Sequence, residues 1–185
     1  KKSSIFNIKR VDIIIHAATI ASPFFYRKYP LQTAEANVDG LKNLLNFSLN
    51  KNVKRILFFS SSEVYGNPNK ENIPTKETYN GNVASIGPRS CYDESKRYGE
   101  TLCYIYNQIY NLPIRIVRPF NNYGPYLNST DKRLPSDLLK RVIENKDIII
   151  HSDGKPRRTF CYVADAICGY LNAIKRFKTK YKKKV

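Results

Sequence analysis

Val11-Asp12-Ile13-Ile14-Ile15-His16-Ala17-Ala18 is a β-branched, mostly apolar run that ends in small residues. A strand with one wet face alternates polar and apolar positions, whereas a near-continuous apolar run is covered on both faces, as in a parallel sheet. From Leu31 to Asn50 the apolar positions Ala34, Val38, Leu41 and Leu45 recur at helical spacing. Arg55-Ile56-Leu57-Phe58-Phe59-Ser60 is then a second buried strand, and it runs into three serines. Strand, helix, strand is a βαβ unit.

The alternation continues outward. A loop rich in Asn, Pro and Gly covers residues 66–88, and a helix is predicted from about Asp93 to Tyr110. Pro113 to Arg118 reads as a third strand that Pro119 stops. Beyond it the pattern predicts a helix over Leu134–Glu144, a short strand over Asp147–Ile150 and a last helix over Val163–Ile174. The fold class expected is α/β: a doubly wound, Rossmann-like parallel sheet, partial in extent, with part of a small C-terminal substrate-binding region. The corresponding division is 1–125, 126–174 and a basic tail over 175–185.

Ligands of such sheets bind beyond the C-terminal ends of the strands. That rule selects His16-Ala17-Ala18, Ser60-Ser61-Ser62-Glu63 and Pro119-Phe120-Asn121-Asn122, each of which follows a predicted strand. Tyr92 and Lys96, at i and i+4, share one helix face, so an ammonium near the phenol could stabilise phenolate and make Tyr92 a general base. With 14 tyrosines in the chain the spacing alone is weak, and its position after the serine-rich strand end is what gives it weight.

Five ordered blocks together resemble the extended short-chain dehydrogenases/reductases of the NAD-dependent epimerase/dehydratase family, and within them most closely the UDP-glucuronate decarboxylases. They are His16-Ala17-Ala18 with Ala21-Ser22-Pro23, Ser61 to Gly66, Gly81 to Arg97, Arg118 to Pro125, and Asp153-Gly154 through Arg158-Thr159-Phe160. The resemblance implies NAD as cofactor and a nucleotide sugar as substrate. It implies that Tyr92 takes the sugar O4 proton, that Lys96 holds the cofactor ribose and lowers the Tyr92 pKa, and that Ser61 bonds the same hydroxyl. Ser62, Glu63 and Arg158 fall at positions around the carboxylate and the enolate carbon. Glu63, Asn121, Arg133 and Arg158 fall at substrate-binding positions, and His16, Ala17, Ala18, Asn37, Ser60, Tyr92, Lys96 and Pro119 at cofactor-binding ones.

Within the superfamily the chemistry separates three reactions. A 4,6-dehydratase needs an acid beside a base, and where its pattern carries Asp this sequence has Ser62, a poor proton donor. A 4-epimerase needs no carboxylate at Glu63. Decarboxylation of UDP-glucuronate to UDP-xylose is therefore the expected reaction, with dehydration or epimerisation as alternatives and an inactive binding or oligomerisation module as a third. The resemblance also has departures: none of the eight glycines makes the expected G-x-x-G-x-x-G turn, Ser95 replaces a glycine, and Ile20 a proline. With no Met, the sequence is expected to be a fragment that starts just before the fourth strand of the family's sheet.

Composition sets the remaining bounds. The 185 residues, 42% of them hydrophobic, can build one core. Of the +17 net charge, eleven positive charges lie within residues 1–10 and 175–185, which leaves +6 for the interior. That excess suits phosphate handling as well as nucleic acid, and no nucleic-acid partner is expected. Cys91, Cys103, Cys161 and Cys168 form no C-x-x-C pair, and His16 and His151 stand alone, so no metal site is expected. Scattered thiols point to the cytoplasm, no apolar run approaches a membrane span, and the resemblance implies a homodimer through the helices near 31–50 and 93–110.

Overall fold

The computed structural model describes residues 8–128, 130–150 and 152–175. Three strands, β1 (Ile13–His16), β2 (Arg55–Phe59) and β3 (Ile114–Val117), form a parallel sheet in the order β1-β2-β3. The register sets Ile14 against Ile56 and Phe58 against Ile116. Successive side chains of a strand point to opposite faces. Ile14, Ile56 and Phe58 thus share the face covered by helices α2 (Pro30–Asn50) and α3 (Ser90–Tyr110), where Leu41, Leu45, Leu102 and Cys103 complete the core. On the other face Phe59 meets Tyr170 edge to face at 4.6 Å. Tyr170 belongs to α5 (Val163–Lys175), so helices lie on both faces and the sheet is doubly wound as expected.

Each expected strand and helix of this unit forms within a few residues of its predicted bounds, with α3 beginning at Ser90. The exception is the strand expected over Asp147–Ile150, which is irregular and exposed. The second sheet pairs instead β4 (Asn121–Tyr123) with β5 (Phe160–Tyr162), in parallel, so that Asn121 faces Phe160. Three consecutive isoleucines satisfy strand propensity, but a strand needs a neighbour to complete its hydrogen bonds, and partner choice is not a local property. This β4–β5 pair bridges the division expected at 125/126, as does the hydrogen bond from Ser22 Oγ to the Asp131 carbonyl at 2.7 Å. Two short helices complete the fold, α1 (Pro23–Lys28) and α4 (Leu134–Ile143), each with proline in its first turn, where a missing N–H costs nothing. Of the basic tail only Lys175 lies among the described residues.

The close fit of α3 to the sheet depends on Gly99. A Cβ built there would stand 2.7 Å from Phe58 Cζ and 3.3 Å from Leu41 Cδ2. Gly99→Val should destabilise the chain by about 2–3 kcal/mol through overpacking, read as a lower urea midpoint at unchanged slope. An unchanged midpoint would mean that α3 does not pack closely on Phe58 and Leu41 here.

Candidate active site

A cavity of about 390 Å³ opens at the C-terminal ends of β1, β2 and β3. Its floor is built where β2 stops. Ser61 takes extended backbone angles and caps a single turn of 3-10 helix, Ser62–Tyr65, its Oγ accepting the Glu63 N–H at 3.2 Å. The turn swings Ser62 and Glu63 onto the cavity wall. Gly66 then ends it at φ 64, and any Cβ there would lie 2.0 Å from the Asn82 carbonyl oxygen. Only glycine fits both conditions.

Beneath the floor the end of the sheet is tied down by charge. Glu100 of α3 accepts Arg118 through both carboxylate oxygens, at 2.8 and 2.6 Å, and accepts the Ser60 hydroxyl at 2.6 Å. Arg118 also donates to the Glu77 carbonyl at 2.9 Å and lies over the Tyr65 ring, so one guanidinium fastens β3, α3 and the 66–88 loop. The Ser60 hydroxyl, expected at the cofactor, is thus given to Glu100, although the residue itself lines the cavity.

Tyr92 enters from the first turn of α3, buried and stacked on Tyr26 at 5.1 Å with rings nearly parallel. Burial raises its pKa, because phenolate loses water; the hydrogen bond with Ser61 pulls it back down. Lys96, only 1% exposed, donates from Nζ to the Phe59 carbonyl at 2.7 Å and lies 5.9 Å from the Tyr92 ring centre. The groups that shift the Tyr92 pKa in this structure are its burial, then Ser61, Glu63, Asp93 and Arg133, while the ammonium expected to lower it is held by the Phe59 carbonyl. A buried ammonium must be hydrogen-bonded, and the carbonyl at the end of β2 is the acceptor it takes. Burial lowers the Lys96 pKa to about 8.

The cavity brings together Ala17, Ser60, Ser61, Ser62, Glu63, Tyr92, Lys96, Pro119, Asn121 and Arg133, all of them expected at the site. Four others stand outside its lining. His16 packs behind it against Phe58 at 5.9 Å, with its Nε2 buried and without a partner; burial and then the Lys96 charge lower its pKa to about 4. Ala18 is exposed. Asn37 is buried one layer back, where it donates to Ser95 Oγ at 2.8 Å and accepts from Thr19 Oγ1 at 2.6 Å, while Ser95 donates to the Tyr92 carbonyl. Arg158 is exposed on an irregular segment, and its Nη1 donates to the Arg157 carbonyl. Residues 155–159 form neither helix nor strand, so nothing local aims that side chain inward. Among the described residues no cluster of His, Cys, Asp and Glu could hold a metal ion, and no helix is long and apolar enough to cross a membrane.

Sequence reasoning gave no role to Tyr26 and Arg89, which line the cavity, or to Asp93, which pairs with Arg89. The i, i+4 spacing of Arg89 and Asp93 at a helix start was a usable cue for two of them; nothing local marked Tyr26, one aromatic among many.

A family model described as the NAD dependent epimerase/dehydratase family matches residues 2–185. The chain belongs to that family. It is 41% identical over 169 residues to UDP-glucuronic acid decarboxylase 6 of Arabidopsis thaliana, covering 91% of this chain and 48% of the relative. To UDP-glucuronic acid decarboxylase 1 of Xenopus tropicalis it is 38% identical over 161 residues, covering 87% of this chain and 38% of the relative. The chain thus spans about half the length, or less, of the curated relatives it matches. Among solved structures it is similar to UDP-glucose 4-epimerase from Thermotoga maritima with UDP-glucose (TM-score 0.80, 26% identity, 89% of this chain and 52% of that one). It is also similar to UDP-glucuronic acid 4-epimerase from Bacillus cereus in complex with UDP-glucuronic acid and NAD (TM-score 0.75, 26% identity, 95% and 55%).

The epimerase/dehydratase family is NAD-dependent, and the residues present fit one end of that cofactor. Lys96 uses one of its three N–H donors on Phe59 and lines a cavity floored by small residues at the strand ends, which suits a ribose and nicotinamide. Among the described residues there is no glycine-rich strand-to-helix turn to hold the pyrophosphate.

Proposed function

We propose that this chain carries the catalytic part of an NAD-dependent decarboxylase that converts UDP-glucuronate to UDP-xylose. The observation that carries the reading is the convergence on one cavity of the Tyr92 phenol, the Lys96 ammonium, the Ser61 hydroxyl and the Glu63 carboxylate, with Ser62 beside Glu63 where a dehydratase has an acid. The decarboxylase relatives support the same reading.

Tyr92 takes the proton from sugar O4, and Ser61 holds the same oxygen in line. NAD, when bound, supplies the hydride acceptor for C4 and later the hydride that restores it. Once C4 is a ketone the C6 carboxylate is β to a carbonyl: the C5–C6 bond breaks, carbon dioxide leaves, and its bonding electrons enter the enolate at O4. Tyr92, now protonated, stabilises that oxygen. Ser62 and Glu63 border the C5–C6 end of the sugar, where a proton must be delivered to C5, and Asn121 and Arg133 line the wall toward the diphosphate. Arg158 would join them only if its segment turned inward. Lys96 fixes the ribose side and keeps a positive charge near the oxyanion.

Full-length protein incubated with NAD and UDP-glucuronate should release carbon dioxide and yield a UDP-pentose by mass spectrometry. A product of unchanged mass with a new sugar NMR spectrum would make it an epimerase, and loss of water from UDP-glucose, which carries the C6 hydroxyl that UDP-glucuronate lacks, a dehydratase. On the outer side of α3, Tyr98, Ile105 and Ile109 are exposed at helical spacing, which supports a homodimer through α2 and α3, and the four free cysteines suit a reducing cytoplasm.

A further inference from the structure

Arg89 stands at the start of α3, three residues before Tyr92, and faces the cavity between two carboxylates. Its Nη2 is paired with Glu63 Oε2, and its Nε donates to Asp93 Oδ2 at 3.2 Å. The two partners differ in burial. Glu63 and Arg89 side chains are about 40% exposed, toward the cavity, whereas the Asp93 side chain is 9% exposed and its Oδ1 has no partner. The main chain of Arg89 is committed as well: its carbonyl accepts the N–H groups of Tyr92 and Asp93, both at 3.0 Å.

We propose that Arg89 is a positioning residue that sets the Glu63 carboxylate against Tyr92, anchored from behind by buried Asp93. One residue holds the phenol-bearing turn by its backbone and the carboxylate by its side chain, so the separation of the two groups is fixed through a single link. A site for the substrate's own carboxylate is the competing use of this guanidinium. It is the poorer one, because the cation already faces two carboxylates and a third would be repelled. The asymmetry also gives the clamp a direction: the buried Asp93 arm keeps the guanidinium in place, and the guanidinium in turn holds the more exposed Glu63 carboxylate.

This role rests on the decarboxylase reading. It is tested by a double-mutant cycle in the full-length protein with NAD, using Arg89→Ala, Glu63→Gln and both together, with kcat and KM for UDP-glucuronate and a thermal melt for each. Arg89→Ala alone should lower kcat about 100-fold with KM changed less than about threefold, as expected of a misplaced group. In the Glu63→Gln background the same change should lower kcat less than about threefold. Equal losses in both backgrounds, or a loss confined to KM, would overturn the role and favour direct substrate binding. Should Arg89→Ala fail to fold, Arg89→Lys keeps a cation for Asp93 without a fork to reach Glu63, and the same cycle applies. Wild-type protein that decarboxylates no nucleotide sugar overturns the proposed function and this role together, whereas turnover with additive losses removes the role alone.

Discussion

Tyr92→Phe is expected to lower turnover of UDP-glucuronate by about 10³-fold, while binding of the nucleotide sugar, measured by calorimetry, stays within about threefold of wild type. The loss follows from what the substitution removes. A phenylalanine keeps the ring that stacks on Tyr26 at 5.1 Å and fills the same buried volume, so packing is preserved. The oxygen that would take the O4 proton is gone, and the Ser61 hydroxyl, un-ionised at working pH, cannot replace it as the base. Burial raises the Tyr92 pKa, so the reactive phenolate fraction should grow as pH rises, and the alkaline rise of kcat should vanish in the variant. Turnover within tenfold of wild type would remove Tyr92 from the mechanism.

Lys96→Met should also abolish most turnover, by about 10²-fold or more, yet make the cofactor-free protein more stable. The folded pKa of Lys96 is lowered to about 8 from 10.5, so below pH 8 both folded and unfolded chains carry the charge, and the folded chain bears it buried. Between pH 8 and 10.5 the unfolded chain binds more protons, so wild-type stability rises with pH across that window. The buried charge costs on the order of 3 kcal/mol at pH 7. Methionine, of similar length, removes that cost and leaves the Phe59 carbonyl without its donor, a loss of ~1 kcal/mol. The variant should therefore have the higher urea midpoint at pH 7, and its advantage should shrink toward pH 10.5. A variant less stable than wild type at pH 7 would show that the ammonium is solvated or paired more favourably than its burial implies. The two results together would separate function from folding at one residue: a group retained at a cost to stability is one the fold holds for chemistry.

The sheet was readable because its causes are local. Ile13 to Ile15 and Ile56 to Phe59 are apolar runs of strand length closed by small or polar residues, and the repeat from Ala34 to Leu45 has one period. Tyr92 and Lys96 were readable for the same reason, since helical spacing alone sets them on one face. The strand expected at Asp147–Ile150 fails where the pairing partner lies far along the chain: β5 pairs with β4 across 36 intervening residues, and no propensity reports that. Arg158 was placed by resemblance, but a coil residue takes its direction from tertiary contacts, and those leave it outside the cavity.

Hydrophobic periodicity and strand-end chemistry in this sequence determined an α/β sheet with its ligand site at the ends of β1, β2 and β3, because burial of apolar runs and the geometry of parallel strands leave few other arrangements. Only the tertiary structure decided what each polar group there is engaged with. It gave the Ser60 hydroxyl to Glu100, the Lys96 ammonium to the Phe59 carbonyl, and Arg89 to Glu63 and Asp93 at once. Spacing brings residues to one end of a sheet, but a hydrogen bond forms within about 3 Å, and which acceptor lies at that distance is settled by packing among segments far apart in the chain.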